Sequence, residues 1–280
     1  MSTENLTQGT VAAQTDGEPL LLRNRPCDGV AVLSLNRPHS RNALSLAMID
    51  GLHEAIHELG ADASISSIVL AAQGPVFSSG HDLKEMTAHR ADADKGLAFY
   101  TDAMQRCSTM MQAIIACPKP VIAAVEGTAT AAGCQLVATC DLAVAGSGAR
   151  FCTPGVNIGL FCSTPMVALS RNVPRKRAME MLLLGDMVDA ATAAQYGLVN
   201  RVVAAGGALA EAISIAGKIA AKSPHTVAMG KAAFYAQAEM PLQEAYAYAA
   251  QVMVDNMLAR DAEEGIGAFL EKRPPKWQGC

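Results

Sequence analysis

The most informative segment of this chain is Pro120-Val-Ile-Ala-Ala-Val-Glu-Gly-Thr-Ala-Thr-Ala-Ala-Gly-Cys-Gln135. Its short apolar run, Val121 to Val125, predicts a buried strand. The small residues after Gly127 predict a turn and then a helix over about 131–140. Small side chains at a helix start leave N–H donors unobstructed at the positive end of the helix dipole, so this segment can bind an anion. Close packing of the helix on a sheet is the simpler explanation of the same pattern.

Strand and helix patterns alternate on both sides of this segment. Predicted strands cover 20–22, 30–35, 68–72, 142–145 and 198–203, and predicted helices start at Ser45, cover 97–116, run from 174 to 184 and start at Asp189. Beyond residue 206 only helical patterns occur. We therefore predict an α/β protein with a loose tail over 1–19, a core over 20–205 and a helical region over 206–280. The helical region favours oligomerisation over packing on its own body.

Composition excludes several classes of function. The 280 residues are 51% hydrophobic with a net charge of −4, and no basic stripe predicts nucleic-acid binding. No apolar run reaches the roughly 20 residues that a membrane-spanning helix needs. The eight cysteines show no Cys-x-x-Cys spacing, which predicts free thiols in a reducing compartment and no metal site. Because the first twenty residues do not resemble a targeting leader, we expect a cytoplasmic protein.

Two further segments carry residues of chemical interest. Phe77-Ser-Ser-Gly-His-Asp-Leu83 follows a predicted strand, and its glycine and small residues let main-chain N–H groups approach a ligand. An ordinary strand-to-helix turn capped by Asp82 explains it more simply. Phe151-Cys-Thr-Pro-Gly-Val-Asn-Ile-Gly-Leu160 contains no carboxylate or histidine, and its Asn157 fits a hydrogen bond within the loop. One N–H from each of the first two segments could together bind an oxygen that gains negative charge.

Together and in this order, the three segments resemble the crotonase (enoyl-CoA hydratase/isomerase) superfamily. The resemblance extends from about residue 30 to 277 and includes Leu35-Asn-Arg-Pro38, Arg41-Asn-Ala-Leu44 and Ala178-Met-Glu-Met-Leu-Leu-Leu-Gly185. It implies a ClpP/crotonase-like spiral of ββα units. It also implies a C-terminal helical trimerisation region, hence a homotrimer or a dimer of trimers.

The resemblance also implies a site for an acyl-CoA thioester. The N–H groups of His81 and Ala132 would form an oxyanion hole for the thioester carbonyl, with the His81 imidazole turned away. No metal and no cofactor is implied beyond the coenzyme A of the substrate, and no nucleic acid or membrane partner. The residues implied to bind the substrate and its coenzyme A are Arg41, Ala43, Leu44, Ser79, Asp82, Leu83, Ala129, Pro154 and Leu160.

The chain departs from the hydratase pattern at both catalytic carboxylates. The places of the two glutamates are held by Gln135 and Gly155. Hydration needs a base for water and an acid for the α-carbon, each worth roughly 10²–10⁴-fold, so fast hydration is not expected. We expect a protein of fatty-acid metabolism that binds and processes acyl-CoA thioesters. Two alternatives stay open: a malonyl-type decarboxylase, although the tyrosine that family decarboxylases place near Cys162 is missing, or a non-catalytic acyl-CoA binder. For Cys134 and Cys162 we expect inert packing near the pocket.

Overall fold

A computed structural model describes residues 18–280. Of the predicted tail over 1–19, positions 1–17 therefore lie outside the described residues. Ten strands form within the described part: β1 Leu21–Cys27, β2 Gly29–Leu35, β3 Ile65–Ala72, β4 Val76–Ser78, β5 Val121–Val125, β6 Thr128–Thr130, β7 Leu142–Gly146, β8 Arg150–Cys152, β9 Val188–Asp189 and β10 Arg201–Val203.

Eleven α-helices accompany these strands in residues 18–280. They are α1 Leu46–Ala61, α2 Leu83–Ala88, α3 Leu97–Ala116, α4 Ala132–Thr139, α5 Pro165–Asn172, α6 Arg175–Leu184, α7 Ala190–Gln195, α8 Ala208–Ala220, α9 Pro224–Ala238, α10 Leu242–Met257 and α11 Arg260–Glu271.

The strands form two sheets, and from β3 to β8 consecutive strands alternate between them. The larger sheet has the order β1-β2-β3-β5-β7-β10 and is parallel except for the β1–β2 pair. The smaller sheet has the order β4-β6-β8-β9, with only the last pair antiparallel. Successive pairs (β3 with β4, β5 with β6, β7 with β8) each place one strand in each sheet before the next helix. This repeat confirms the predicted spiral of ββα units.

Helices cover both faces of the larger sheet. One core contains the inward residues of α1, α3 and α4. A second, smaller core lies beneath α8, whose Ala212 and Ile215 pack among strand residues such as Val69 and Val144. Helix α8 is also tied to β3 by a hydrogen bond of 3.0 Å from the Ser67 hydroxyl to the Ala216 carbonyl. This helix of the 206–280 region therefore packs on the sheet, while the boundary at residue 206 stays a prediction.

Local sequence signals locate several elements correctly. The Ser45 hydroxyl accepts from the Met48 N–H to cap α1, and Asp189 caps α7 through the Thr192 N–H. Helix α3 has the predicted bounds. The last predicted strand is shorter than expected, because the Leu198 N–H donates to the Ala193 carbonyl and this residue completes the turn after α7.

Candidate functional site

The first predicted segment orients one main-chain N–H away from its neighbouring strand. His81 forms an isolated parallel bridge with Leu44. Leu44 donates its N–H to the Gly80 carbonyl at 2.8 Å and accepts from the Asp82 N–H at 3.2 Å. In a parallel bridge the flanking residues make these bonds, so the N–H of His81 itself faces the opposite side. That N–H has no hydrogen-bond partner within residues 18–280.

The second segment presents another such N–H. Helix α4 begins at Ala132, and the first N–H of a helix has no acceptor within the helix. No other described residue accepts from it. The preceding Ala131 donates to the Cys152 carbonyl at 3.0 Å and has φ +50° and ψ −120°. A residue with a side chain in such a conformation costs about 1–3 kcal/mol, so the fold holds the start of α4 under strain.

These two segments are in direct contact. A Cβ added to Gly80 would lie 3.0 Å from the Ala132 nitrogen and 2.9 Å from the Ala131 Cβ, and the φ of Gly80 is +84°. The close contacts of a Cβ and the positive φ both require glycine at position 80. The Thr130 hydroxyl also donates to the Ser79 carbonyl at 3.0 Å. The unpartnered N–H groups of His81 and Ala132 therefore lie at one junction, which is the arrangement that an oxyanion hole needs.

Gln135 lies beside this junction, three residues after Ala132 and thus on the same side of α4. It is 5% exposed, and its Oε1 atom is buried without a hydrogen-bond partner among residues 18–280. Such an unpaired polar atom costs about 1–3 kcal/mol, so a polar ligand or water is expected to bind it. The amide can orient such a group, but it cannot remove a proton from it at neutral pH.

Gly155 leaves no space for a side chain. It lies in a 3₁₀ turn, Pro154–Ile158, that follows β8. A Cβ at this position would lie 2.9 Å from the Leu160 carbonyl oxygen and 3.0 Å from the Cys162 sulfur. The Leu160 N–H also donates to the Gly155 carbonyl at 2.9 Å. Any side chain at 155 therefore requires the segment 160–162 to move.

Three thiols cluster around this turn. Burial, followed by the nearby Cys152 and Cys162, raises the pKa of the Cys134 thiol. Burial also raises the pKa of Cys152 to about 11. The pKa of Cys162 is raised by burial, against the opposing effect of the Gly155 N–H. All three side chains are therefore neutral thiols at neutral pH.

The side chains of His81 and Asp82 differ in their availability, because the His81 imidazole keeps an unused nitrogen whereas the Asp82 carboxylate is occupied. Burial lowers the pKa of the His81 imidazole, with a smaller opposing effect from the Leu44 main chain, so the ring is neutral. Its Nε2 atom is buried without a partner in the described chain. Asp82 caps α2 by accepting from the Lys84 N–H at 3.0 Å and pairs with Arg37 at 3.4 Å. The simpler interpretation of Asp82 as a helix cap is therefore correct for its carboxylate.

The other residues predicted to bind coenzyme A differ in exposure. Arg41, Leu83 and Leu160 are exposed, Ser79 and Pro154 are half-buried, and Ala43, Leu44 and Ala129 are buried. The structure brings the segments around residues 41–44 and 79–83 together through the bridge at His81 and through the Ser79 N–H, which donates to the Arg41 carbonyl at 3.0 Å. The buried members can contribute only their main-chain positions, while the exposed members are free to contact a ligand.

Asn42 supports this site and was not identified from the sequence. It is fully buried with φ +50°, and its amide donates to the carbonyls of Gln73 and Val76 at 2.9 and 2.7 Å. Its own carbonyl accepts from the Ser78 hydroxyl at 2.9 Å, whose oxygen accepts from the Gly80 N–H at 3.3 Å. This chain of bonds fixes the segment that carries the His81 N–H. The available signal was an asparagine, a residue that tolerates left-handed backbone, next to Arg41.

Comparison with known proteins identifies the family. A family described as "Enoyl-CoA hydratase/isomerase" matches residues 26–280. The chain belongs to the enoyl-CoA hydratase/isomerase family. It is 48% identical to the rat "Enoyl-CoA hydratase domain-containing protein 3, mitochondrial" over 95% of this chain and 87% of the rat protein. It is 36% identical to the Escherichia coli 2,3-dehydroadipyl-CoA hydratase, covering 89% of this chain and 95% of that protein.

Solved structures of family members have the same fold. An enoyl-CoA hydratase from Mycobacterium smegmatis superposes with a TM-score of 0.88 at 53% identity, covering 93% of this chain and 99% of that chain. The human enoyl-CoA hydratase domain-containing protein 3 superposes with a TM-score of 0.86 at 47% identity, covering 92% and 100%. These likenesses confirm the resemblance found in the sequence and the crotonase fold.

The relatives contradict the expected cytoplasmic location. The rat, mouse and human relatives, at 47–48% identity, all have "mitochondrial" in their names, so the cytoplasmic prediction is wrong. Free thiols distinguish reducing from oxidising compartments, but they do not distinguish one reducing compartment from another. In residues 18–280 no helix is long and apolar enough to cross a bilayer. No cluster of three or more metal-ligating side chains occurs in the same range.

Proposed function

We propose that this protein binds acyl-CoA thioesters of fatty-acid metabolism and stabilises their enolates without the two-carboxylate chemistry of hydration. The observation that carries the proposal is the contact at Gly80, which brings the unpartnered N–H groups of His81 and Ala132 to one junction. A thioester carbonyl oxygen fits two such donors, and they bind it more strongly as it gains negative charge.

The surroundings of this junction argue against hydration. Position 135 carries a neutral amide, and position 155 has no side chain and no space for one. The Asp82 carboxylate is occupied by its helix cap and by Arg37. Without a carboxylate at either position to act as the base for water or as the acid for the α-carbon, hydration should be slower by several orders of magnitude.

Decarboxylation of a malonyl-type thioester is a second candidate. Loss of carbon dioxide forms the enolate directly, so the reaction needs the two N–H donors but no protein base. The same absence of carboxylates at positions 135 and 155 that disfavours hydration is compatible with it.

A non-catalytic binder is the third candidate. The Thr130 hydroxyl is engaged with the Ser79 carbonyl, and the exposed Asn157 places its amide next to Gly185. Neither side chain is available to the acyl group, which leaves Gln135 Oε1 and His81 Nε2 as the unpartnered polar side-chain atoms near the junction. Binding without turnover would favour this role.

One experiment separates the three candidates. The purified protein is incubated with crotonyl-CoA and with methylmalonyl-CoA, the thioesters are followed by mass spectrometry, and butyryl-CoA binding is measured by calorimetry. We expect butyryl-CoA to bind and crotonyl-CoA to gain no water above a heat-treated control. Hydration faster than that control would contradict the proposal. Loss of carbon dioxide from methylmalonyl-CoA would establish the decarboxylase, and binding without turnover the binder.

A matched pair of glycine variants tests the location of the site. Gly80→Ala places a methyl group 3.0 Å from the Ala132 nitrogen, whereas a Cβ at Gly148 has nothing within 4 Å. Gly80→Ala should weaken butyryl-CoA binding roughly tenfold or more, and Gly148→Ala should leave it unchanged. Equal affinities of the two variants for butyryl-CoA would contradict the placement of the oxyanion hole at this junction.

The homotrimer, or dimer of trimers, is proposed on the apolar surface of the last three helices. Leu258, Phe269 and Leu270 are 81%, 82% and 74% exposed, and α10 adds Leu242 and Tyr246. Large apolar side chains exposed in this number favour contact with further copies of the chain. Light scattering coupled to gel filtration tests this proposal, and a monomeric mass would contradict it.

A further inference from the structure

The His81 imidazole is a titratable side chain on the residue that supplies one of the two proposed N–H donors. The residue is partly exposed, but its Nε2 atom is buried without a hydrogen-bond partner in the chain from 18 to 280. Within the same range Gln135 Oε1 is also buried without a partner. The two segments that meet at Gly80 thus carry one such atom each. Because buried polar atoms are normally hydrogen-bonded, we expect both atoms to face a bound ligand or water.

The unpartnered nitrogen of this ring is the one that can accept a proton. Burial lowers the pKa of the imidazole, and a hydrogen bond with the Leu44 main chain opposes this shift. A main-chain carbonyl has this effect when it accepts the proton of a ring nitrogen. Because Nε2 has no partner among the described residues, that nitrogen is Nδ1. Nε2 therefore presents a lone pair, and the lowered pKa of the ring keeps it unprotonated at neutral pH.

Covalent geometry keeps this lone pair close to the proposed oxyanion hole. Nε2 and the main-chain N–H belong to one residue, so they lie at most about 6 Å apart. Residues paired in a bridge have their side chains on the same face, and Leu44, the bridge partner of His81, packs in the core that also contains Ala132. The imidazole therefore extends toward the side on which α4 begins. C2 of a thioester is attached to the carbonyl carbon, so a carbonyl held by the two N–H groups keeps C2 within the span of this side chain.

We propose that His81 Nε2 is the base that removes a proton from C2 of a bound acyl thioester and so forms the enolate. The inference rests on the proposed function, since the carbonyl must be held by the His81 and Ala132 N–H groups. It departs from the expectation of an imidazole turned away from the carbonyl. It also gives the enolate a source that needs neither of the two carboxylates of hydration.

The transfer conserves atoms and charge without a further reactant. The Nε2 lone pair takes the proton, the C2–H electron pair becomes a π bond between C1 and C2, and the carbonyl π pair moves to the oxygen, where the two N–H groups bind it. An imidazolium and an enolate form together, so neither charge is buried without its opposite. Return of the proton from Nε2 to C2 restores the thioester, and nothing is oxidised or reduced. In D₂O the proton on Nε2 exchanges with solvent, so deuterium is returned to C2.

The test is exchange of the C2 hydrogens of butyryl-CoA in D₂O, followed by mass spectrometry of the thioester. We expect the unchanged protein to introduce one deuterium, because a base on one face of the enolate exchanges only one of the two C2 hydrogens. His81→Gln and His81→Phe should slow the exchange at least about 10²-fold. Both variants keep the main-chain N–H of residue 81, so in calorimetry they should bind butyryl-CoA as the unchanged protein does. His57→Gln is the matched control, because His57 is exposed on α1, and it should exchange at the full rate.

Free azoles distinguish a base from a ring that only supports the fold. In His81→Ala, added imidazole should restore the exchange. Pyrazole, which has the same ring size but is a far weaker base, should not restore it. Equal exchange with the two compounds, whether restored or not, would overturn the inference.

The outcomes separate this inference from the proposed function. Exchange that needs the His81 ring, at unchanged affinity for butyryl-CoA, supports the inference. No exchange by the unchanged protein although butyryl-CoA binds, or equal exchange by the His81 variants, overturns it and leaves the proposed function intact. Loss of butyryl-CoA binding in both His81 variants would give the ring a structural role and likewise overturn it. If butyryl-CoA does not bind to the unchanged protein, both are wrong.

Discussion

Replacing Lys231 with methionine is expected to lower the free energy of unfolding by about 3–5 kcal/mol. Lys231 lies on α9, and its side chain is 6% exposed. Its ammonium group donates to the carbonyls of Ile114 and Lys119 at 2.9 and 3.1 Å and to the Asp141 carboxylate at 2.7 Å. These three bonds use all the protons of the ammonium group and attach α9 to the end of α3 and the start of β5.

The magnitude follows from what the substitution leaves behind. Asp141 is 15% exposed, and without Lys231 its charge would keep only the Val121 N–H at 2.7 Å and the Tyr235 hydroxyl at 2.9 Å. Breaking a buried pair by removing one partner costs about 3–5 kcal/mol, because the remaining charge stays out of water. Removing only the Tyr235 hydroxyl, a single hydrogen bond to a charged group, should cost about 1.5–3 kcal/mol.

Urea unfolding of Lys231→Met and Tyr235→Phe, followed by circular dichroism, measures both changes. The midpoint should shift at an unchanged slope for each variant. The double variant Lys231→Met/Asp141→Leu should recover part of the loss, since it leaves no unpaired charge. If Lys231→Met lowers the free energy of unfolding by less than about 1 kcal/mol, the reasoning is refuted, because the Lys231–Asp141 pair would then be no stronger than a salt bridge on the surface.

Three further predictions concern the strained backbone at Ala131, the amide at Gln135 and the pH dependence of the free energy of unfolding. Ala131→Gly should raise the free energy of unfolding by about 1 kcal/mol in urea unfolding, since φ is +50° there, whereas Ala132→Gly at a helical position should lower it. Gln135→Glu introduces one of the two carboxylates that the resemblance implies for a hydratase, so crotonyl-CoA hydration, followed by absorbance, should stay about 10²–10⁴-fold below that of a hydratase with both. Burial would raise the pKa of Asp261, but hydrogen bonds from Ser223 and two main-chain N–H groups lower it. Its carboxylate therefore stabilises the fold above about pH 4, and that contribution is lost as the pH falls through the lowered pKa. In urea unfolding from pH 6 to 2, the free energy of unfolding of Asp261→Asn should therefore depend less on pH than that of the unchanged protein.

Some features of the site were available from the sequence because they depend on residue identity and order. The ordered segments around Gly80 and Gly133 indicated the family, and the sequence has Gln135 and Gly155 at the positions where the resemblance implies two glutamates. The Asp82 cap was the simpler interpretation of its segment and is observed. The cytoplasmic prediction was wrong; it depended on the first twenty residues and on the unpaired cysteines, and neither identified the compartment that the names of the relatives give.

What the sequence by itself determined is therefore local: the starts of helices at Ser45 and Asp189, the apolar run of β5 and the identities of the residues at positions 135 and 155. The tertiary structure alone decided which distant groups meet. It brings Gly80 against Ala132 and Cys162 against Gly155, and it holds Ala131 in a strained conformation that its small side chain did not suggest. The reason is physical: periodicity and capping act within a turn or two of the chain, whereas these contacts arise where two sheets and their helices pack together.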